Sequence, residues 1–106
     1  MTKVKHWIAG AGIVLAIAAC TDLPYAPVDY TSGLMTGRNG MTLYTFDKDA
    51  TGSGKSVCNG QCATNWPPLN AAATDQSGGD WTVITRDDGS KQWAWHGKPL
   101  YFWATD

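Results

Sequence analysis

The stretch Trp81-Thr-Val-Ile-Thr-Arg-Asp-Asp-Gly-Ser-Lys-Gln-Trp-Ala-Trp95 decides the fold class of this chain. Its two arms are rich in β-branched and aromatic residues, and the Asp-Gly pair between them is typical of a tight hairpin turn. His96-Gly-Lys-Pro99 predicts a second turn, and residues 100–103 predict a third strand. Three strands with short connections form a meander, the smallest sheet that is stable on its own.

The composition agrees with a small, mainly β domain. The 106 residues include 12 Gly, 5 Pro and 6 Trp, and all 9 acidic residues are Asp. Surface helices are normally built with Glu, Lys, Ala and Leu, so a chain without Glu favours strands and turns. The formal net charge of −1 lacks the positive excess that phosphate binding needs, and we expect no nucleic-acid partner.

The first 20 residues have the three parts of a bacterial export signal: a basic start, an apolar run from Ile8 to Ala19, and a break at Cys20. The apolar run is shorter than the roughly 20 residues that a membrane-spanning helix needs. Residues 17–20, Ile-Ala-Ala-Cys, resemble the lipobox of bacterial lipoproteins, whose cysteine thiol accepts a diacylglycerol. The resemblance implies lipid on Cys20. The alternative is an ordinary signal that is cleaved near Ala19 and leaves a free thiol.

The predicted organisation has three parts. Residues 1–19 form a cleaved signal peptide with a helical core, residues 20–38 form the lipidated N-terminus and a flexible tether, and residues 39–106 form the β-rich domain. By the lipoprotein resemblance, the protein is anchored by lipid in the bacterial cell envelope. In a Gram-negative cell, Thr21 after the cysteine favours the periplasmic face of the outer membrane.

Two segments of the chain are similar to each other. Gly40–Asp49 aligns with Gly97–Asp106, and each has a Leu-Tyr pair, an aromatic residue two positions after the Tyr, and an Asp at the end. We interpret the segments as two related strand-turn units of a small antiparallel meander or sandwich, which stabilise a shared core. The alternative is that both Asp side chains project into one ligand or cation site. The motif residues are Tyr44, Phe46 and Asp49, with Tyr101, Trp103 and Asp106.

These residues resemble the bacterial secreted-repeat lipoproteins with the Tyr-x-(Phe/Trp/Tyr)-x-x-Asp motif. Residues 58–63, 66–69 and 93–101 are also similar to that family. The resemblance covers most of residues 39–106 and implies an exported lipoprotein with no established activity. In the family the second motif is usually followed by a further loop, whereas Asp106 is the last residue here. We expect either a short protein or a fragment, with an exposed sheet edge.

The three cysteines cannot all pair with one another. If Cys20 carries lipid, Cys58 and Cys62 remain as a pair, and an oxidising envelope favours a disulfide between them. One alternative is a redox-active thiol pair. Another is a copper(I) site in which both thiolates and His96 bind this soft ion. A structural zinc site would need a fourth ligand. We expect no other cofactor.

The chain has no recognised catalytic motif, and we expect it not to be an enzyme. Asp87 and Asp88 lie in the hairpin turn and are interpreted as solvated. The tryptophans are expected to fill the core of so small a domain. A glycan-binding surface for the cell wall is the alternative, formed by Trp93 and Trp95 or by Trp81 and Trp103. The sequence therefore predicts a lipid-anchored envelope protein with a binding or structural role, whose protein or cell-wall partner it does not identify.

Overall fold

A computed structural model of the chain describes residues 1–5 and 26–106. The predicted signal helix and Cys20 lie outside these residues. Within them, no helix has the length and apolar character to cross a membrane. The elements are β1 (Thr2–Lys3), β2 (Asp29–Thr31), β3 (Leu34–Thr36), β4 (Tyr44–Thr45), α1 (Gln61–Asn65), β5 (Trp81–Thr85), β6 (Lys91–Trp95) and β7 (Lys98–Tyr101). The prediction of a mainly β, antiparallel fold is confirmed.

The strands form one sheet of order β1-β4-β7-β6-β5 and a separate β2-β3 hairpin. Every pair of strands is antiparallel. In the central β4–β7 pair, Tyr44 lies directly opposite Tyr101. An isolated bridge from Thr36 to Thr42 connects β3 to the segment that leads into β4. The two repeats, β2-β3-β4 and β5-β6-β7, are therefore related by an approximate two-fold axis between the two tyrosines.

The β5–β6 hairpin agrees with its prediction, with Trp81 opposite Trp95 and Thr85 opposite Lys91. The next strand differs from its prediction, because β7 covers residues 98–101 rather than 100–103. The cause is the turn: His96 (φ 51°) and Gly97 (φ 79°) both have positive φ. Two such residues make a two-residue turn whose twist matches the flanking strands, so pairing resumes at once.

The hairpin of β2 and β3 lies within the segment 20–38 that the sequence analysis assigned to a tether. Tyr30 is opposite Met35, and Ser32 (φ 51°) and Gly33 (φ 81°) form the turn. Met35 is fully buried and fixes the hairpin to the core. The ordered part of the first repeat thus begins before residue 39. Gly33 permits this tight turn, because glycine adopts positive φ without strain.

In each repeat, three chain segments meet at what we call a three-way junction. In the second repeat the Leu69 N–H donates to the Leu100 carbonyl at 2.9 Å, and the Trp93 N–H donates to the Leu69 carbonyl at 2.9 Å. Antiparallel bridges extend from this point, from Pro68 to Tyr101 and from Asn70 to Gln92. The segment around Leu69 is thereby inserted between β6 and β7.

The junction of the first repeat has the same pattern. The Val4 N–H donates to the Leu43 carbonyl at 3.1 Å, and the Met35 N–H donates to the Val4 carbonyl at 2.8 Å. Lys3 is opposite Tyr44, and Lys5 forms a bridge with Leu34. Val4 thus occupies in the first repeat the place that Leu69 occupies in the second.

The junction residues are the centre of the hydrophobic core. The six residues that make the junction hydrogen bonds, three from each repeat, belong to one buried cluster. Val28 and Trp81 complete this cluster. Because the core is built from equivalent positions of the two repeats, it is continuous across the approximate two-fold axis. The remaining members are Val4, Met35, Leu43, Leu69, Trp93 and Leu100.

Candidate functional site

The motif residues form two hydrogen bonds that cross between the repeats. The hydroxyl of Tyr44 donates to Asp106 Oδ2 at 2.7 Å, and the hydroxyl of Tyr101 donates to Asp49 Oδ2. Each tyrosine therefore binds the aspartate of the other repeat. This reciprocity follows from the β4–β7 register, because residues directly opposite in an antiparallel pair project to the same face.

The Tyr101–Asp49 bond belongs to a buried chain of polar groups. Because Tyr101 gives its only hydroxyl proton to the carboxylate, Ser56 Oγ donates to the Tyr101 oxygen, at 2.6 Å. Ser56 in turn accepts from the guanidinium of Arg86 at 3.0 Å. The hydroxyls of Ser56 and Tyr101 thus connect the Arg86 guanidinium to the Asp49 carboxylate inside the protein. Asp49 also accepts the backbone N–H of Val57 at 2.7 Å.

The cationic end of this chain is held by two further bonds from the Arg86 guanidinium. Arg86 is 5% exposed and donates to Gln92 Oε1 at 2.7 Å and to the Cys58 carbonyl. Gln92 is fully buried, and its amide donates to the Leu100 carbonyl at 2.7 Å. Among the residues that the structure describes, no buried side-chain nitrogen or oxygen lacks a hydrogen-bond partner. The network therefore satisfies the polar groups that it buries.

This environment shifts the acid–base equilibrium of both motif tyrosines. Burial, together with the bond to Asp49, raises the pKa of Tyr101 to about 12. For Tyr44 the hydrogen bond to Asp106 is the main cause of a raised pKa, followed by burial. Both hydroxyls are therefore protonated donors at neutral pH, as the crossing bonds require.

The second crossing bond lies nearer the surface. Tyr44 is 8% exposed, whereas Asp106 is an exposed residue. The ring of Tyr44 meets Trp66 edge-on at 5.1 Å, and Trp66 packs on Trp103 at 4.4 Å. In the equivalent place of the other repeat, Phe46 meets Tyr101 edge-on at 6.3 Å. Phe46 thus packs directly on a motif tyrosine, whereas Trp103 reaches the other tyrosine through Trp66.

A disulfide joins Cys58 and Cys62, with an S–S distance of 2.02 Å. It connects the loop that carries Ser56 to α1, a helix that the sequence analysis did not predict. Because the carbonyl of Cys58 accepts from Arg86, the bridge also holds one side of the buried polar network. The prediction that these two cysteines pair agrees with the structure.

The structure does not bring together the residues of the hypothetical copper site. The sulfurs of Cys58 and Cys62 are bonded to each other. His96 lies 3.3 Å from Asp80 and is stacked on Trp95 at 3.9 Å. Within residues 1–5 and 26–106, no three or more His, Cys, Asp or Glu side chains are grouped closely enough to hold a metal ion.

Two of the four tryptophans of the hypothetical glycan site are core residues, and the other two are partly buried. Trp81 and Trp93 are each 7% exposed and meet edge-on at 6.2 Å. They form one wall of a cleft of about 350 Å³, whose other wall is the loop 74–78. One face of Trp95 is covered by His96. The cleft therefore combines two tryptophan side chains with the polar groups of a loop.

Sequence reasoning found the motif but missed its partners. Ser56, Arg86 and Gln92 carry no local signal: Gln92 alternates with tryptophans as an outward-facing strand residue does, yet it is fully buried. Their roles arise from contacts between segments that are far apart in sequence. Asp88, interpreted as solvated, is exposed as expected and accepts two bonds from Ser90, which lower its pKa.

A family model described as a secreted repeat of unknown function matches residues 29–70 and 82–106. The chain belongs to this family. The two matched segments correspond to the two structural repeats, and the first begins at the first residue of β2. Neither the curated proteins nor the solved structures gave a match. Membership of a secreted-repeat family indicates an extracellular or envelope location.

Proposed function

We propose that this secreted-repeat protein is anchored by lipid in the cell envelope, where its two-repeat domain has a binding or structural role without catalysis. The observation that carries the proposal is the use of both motif tyrosines and both motif aspartates in bonds between the repeats. The residues that recur in sequence are thereby assigned to the fold and are not free to act on a substrate.

The anchor is supported by the chemistry of residues 17–20, Ile-Ala-Ala-Cys. A lipoprotein N-terminus carries more than one acyl chain, and each buried CH₂ contributes about 0.8 kcal/mol, so detachment is slow. With Cys58 and Cys62 paired, lipid on Cys20 would leave the chain with no free thiol. The disulfide itself is consistent with an oxidising compartment.

Intact-mass spectrometry of the protein from envelope fractions tests the anchor. We expect a chain that begins at Cys20 and carries the mass of its acyl groups, with no thiol that reacts in denaturant. The Cys20→Ala variant is the control and should lack the added mass. An unacylated chain that begins at Met1 would contradict the proposal. Two reactive thiols per chain would favour the redox or copper alternative at Cys58 and Cys62.

A second candidate function is glycan binding at the cleft beside Trp81 and Trp93. The cleft favours it because polar loop residues adjoin two aromatic side chains there, a combination common in sites for small polar ligands. Sedimentation of the purified protein with peptidoglycan tests it. Gln76→Ala, in the cleft wall, should reduce co-sedimentation, while Gln61→Ala, on α1, should leave it unchanged. Equal co-sedimentation of the two variants with peptidoglycan would show that the cleft is not a glycan-binding site.

A further inference from the structure

The first-repeat junction depends on residues that the proposed processing removes, and the inference below rests on that proposed function. Val4 is 5% exposed and contributes a side chain to the core cluster. Its N–H and carbonyl bond to Leu43 and Met35, both fully buried. Loss of residues 1–19 would therefore leave an apolar vacancy and two buried backbone groups without partners. Such groups are almost always paired in native proteins.

The second repeat shows what an occupant of this vacancy must be. Leu69 forms the same two backbone bonds in its junction, at 2.9 Å each. The flanking positions differ completely, since Lys3 and Lys5 in one junction correspond to Pro68 and Asn70 in the other. The shared features are an extended backbone, antiparallel to both neighbouring strands, and one aliphatic side chain at its centre.

We propose that the processed protein binds an extended segment of a partner polypeptide between β3 and β4, with a valine- or leucine-sized residue at the position of Val4. The bonds to Leu43 and Met35 would provide most of the recognition, as they do when a peptide adds a strand to a sheet. A second copy of this chain is not the expected partner, because its own Leu69 segment already fills its second junction.

The test uses the processed protein, purified from envelopes in detergent, with its N-terminus determined by intact mass. The probe is a labelled peptide with the sequence of residues 66–71, Trp-Pro-Pro-Leu-Asn-Ala. The control peptide carries Leu69→Asp, because a carboxylate cannot enter an apolar site without a large loss of solvation. We expect saturable binding of the probe by fluorescence anisotropy, and at least a tenfold weaker binding of the control.

Each outcome has a separate meaning. A chain that begins at Cys20 and binds neither peptide, or both equally, overturns the inference and leaves the proposed lipid anchor intact. A stable dimer of the processed protein that the probe does not dissociate also overturns it. A chain that retains residues 1–19 overturns both the inference and the proposed processing, because Val4 then keeps its place.

Discussion

Tyr101 and Tyr44 occupy the same motif position in very different environments. Tyr101 is fully buried and donates to Asp49, which is 6% exposed. Tyr44 donates to an exposed carboxylate at the surface, Asp106. A hydrogen bond to a charged group contributes more where water does not compete, so the two crossing bonds should differ in strength.

Tyr101→Phe should therefore destabilise the protein more than Tyr44→Phe. Removal of the buried hydroxyl leaves Asp49 and Ser56 each without one partner, at a cost of about 1.5–3 kcal/mol. The surface bond should be worth about 0.5–1.5 kcal/mol. Urea unfolding of the two variants measures the difference. Equal losses would show that burial does not distinguish the two bonds.

The raised pKa of Tyr101 predicts a loss of stability in alkali. Below pH 10 the Tyr101 hydroxyl is protonated in both the folded and the unfolded protein, so it contributes its full stabilisation to the fold. Between pH 10 and the folded pKa of about 12, the unfolded state releases the proton first, and stability falls as pH rises. Two pKa units correspond to about 2.7 kcal/mol. Unfolding curves of the wild type and Tyr101→Phe at increasing pH should converge in this interval, and curves that stay parallel would contradict the assignment.

At the scale of elements, the two turns of the β5–β6–β7 meander differ in how closely other backbone approaches their glycine. Gly97 and Gly89 both have positive φ, at 79° and 90°. A Cβ on Gly97 would lie 2.8 Å from the backbone nitrogen of Gly52, whereas a Cβ on Gly89 would meet nothing within 4 Å. The Gly52 N–H also donates to the Gly97 carbonyl at 2.8 Å, so the turn is held against the loop after the first motif.

Gly97→Ala should consequently cost more than Gly89→Ala. Both variants strain the backbone by about 1–2 kcal/mol, because an L-residue is disfavoured at positive φ. Only Gly97→Ala adds a clash with backbone that cannot move without breaking a hydrogen bond. Thermal unfolding of the two variants measures the additional loss of stability that this clash causes in Gly97→Ala. Identical melting temperatures would show that the contact with Gly52 is loose.

The elements also show where sequence reasoning succeeded and where it failed. The β5–β6 hairpin could be predicted because its signals, alternating strands and an Asp-Gly turn, are local. The β2–β3 hairpin falls in the segment predicted as a tether, since strands of three residues are too short to give a recognisable periodicity. The three-way junctions were invisible, since Val4 and Leu69 reach partners far along the chain. The crossing Tyr–Asp bonds were missed for the same reason, although the motif was recognised.

At the scale of the whole molecule, the disulfide and the buried polar network stabilise the same region. The bridge joins two cysteines that are only four positions apart in sequence. For so short a loop, the chain-entropy model predicts that the disulfide stabilises the fold by about 2 kcal/mol. It also holds the Cys58 carbonyl toward Arg86. Its loss should therefore affect more than the local loop.

Reduction of the disulfide should destabilise the whole domain in one cooperative step. We expect a loss of at least about 2 kcal/mol, because the Arg86–Ser56–Tyr101–Asp49 chain of hydrogen bonds loosens together with the loop. Guanidinium unfolding with and without reductant, followed by tryptophan fluorescence, measures it. Two separate transitions after reduction would mean that the two repeats no longer unfold together once the bridge is open. That result would argue against the importance of the crossing bonds.

The main role of the recurring Tyr and Asp residues is to join the two repeats. A double-mutant cycle with Tyr101→Phe and Asp49→Asn tests it most directly, because Asn keeps an acceptor for the Val57 N–H. Tyr44→Phe with Asp49→Asn is the control, since these residues do not bond to each other. We predict a coupling of about 1–3 kcal/mol in the first cycle and additivity within about 0.5 kcal/mol in the control. Additive losses in both cycles would contradict the claim.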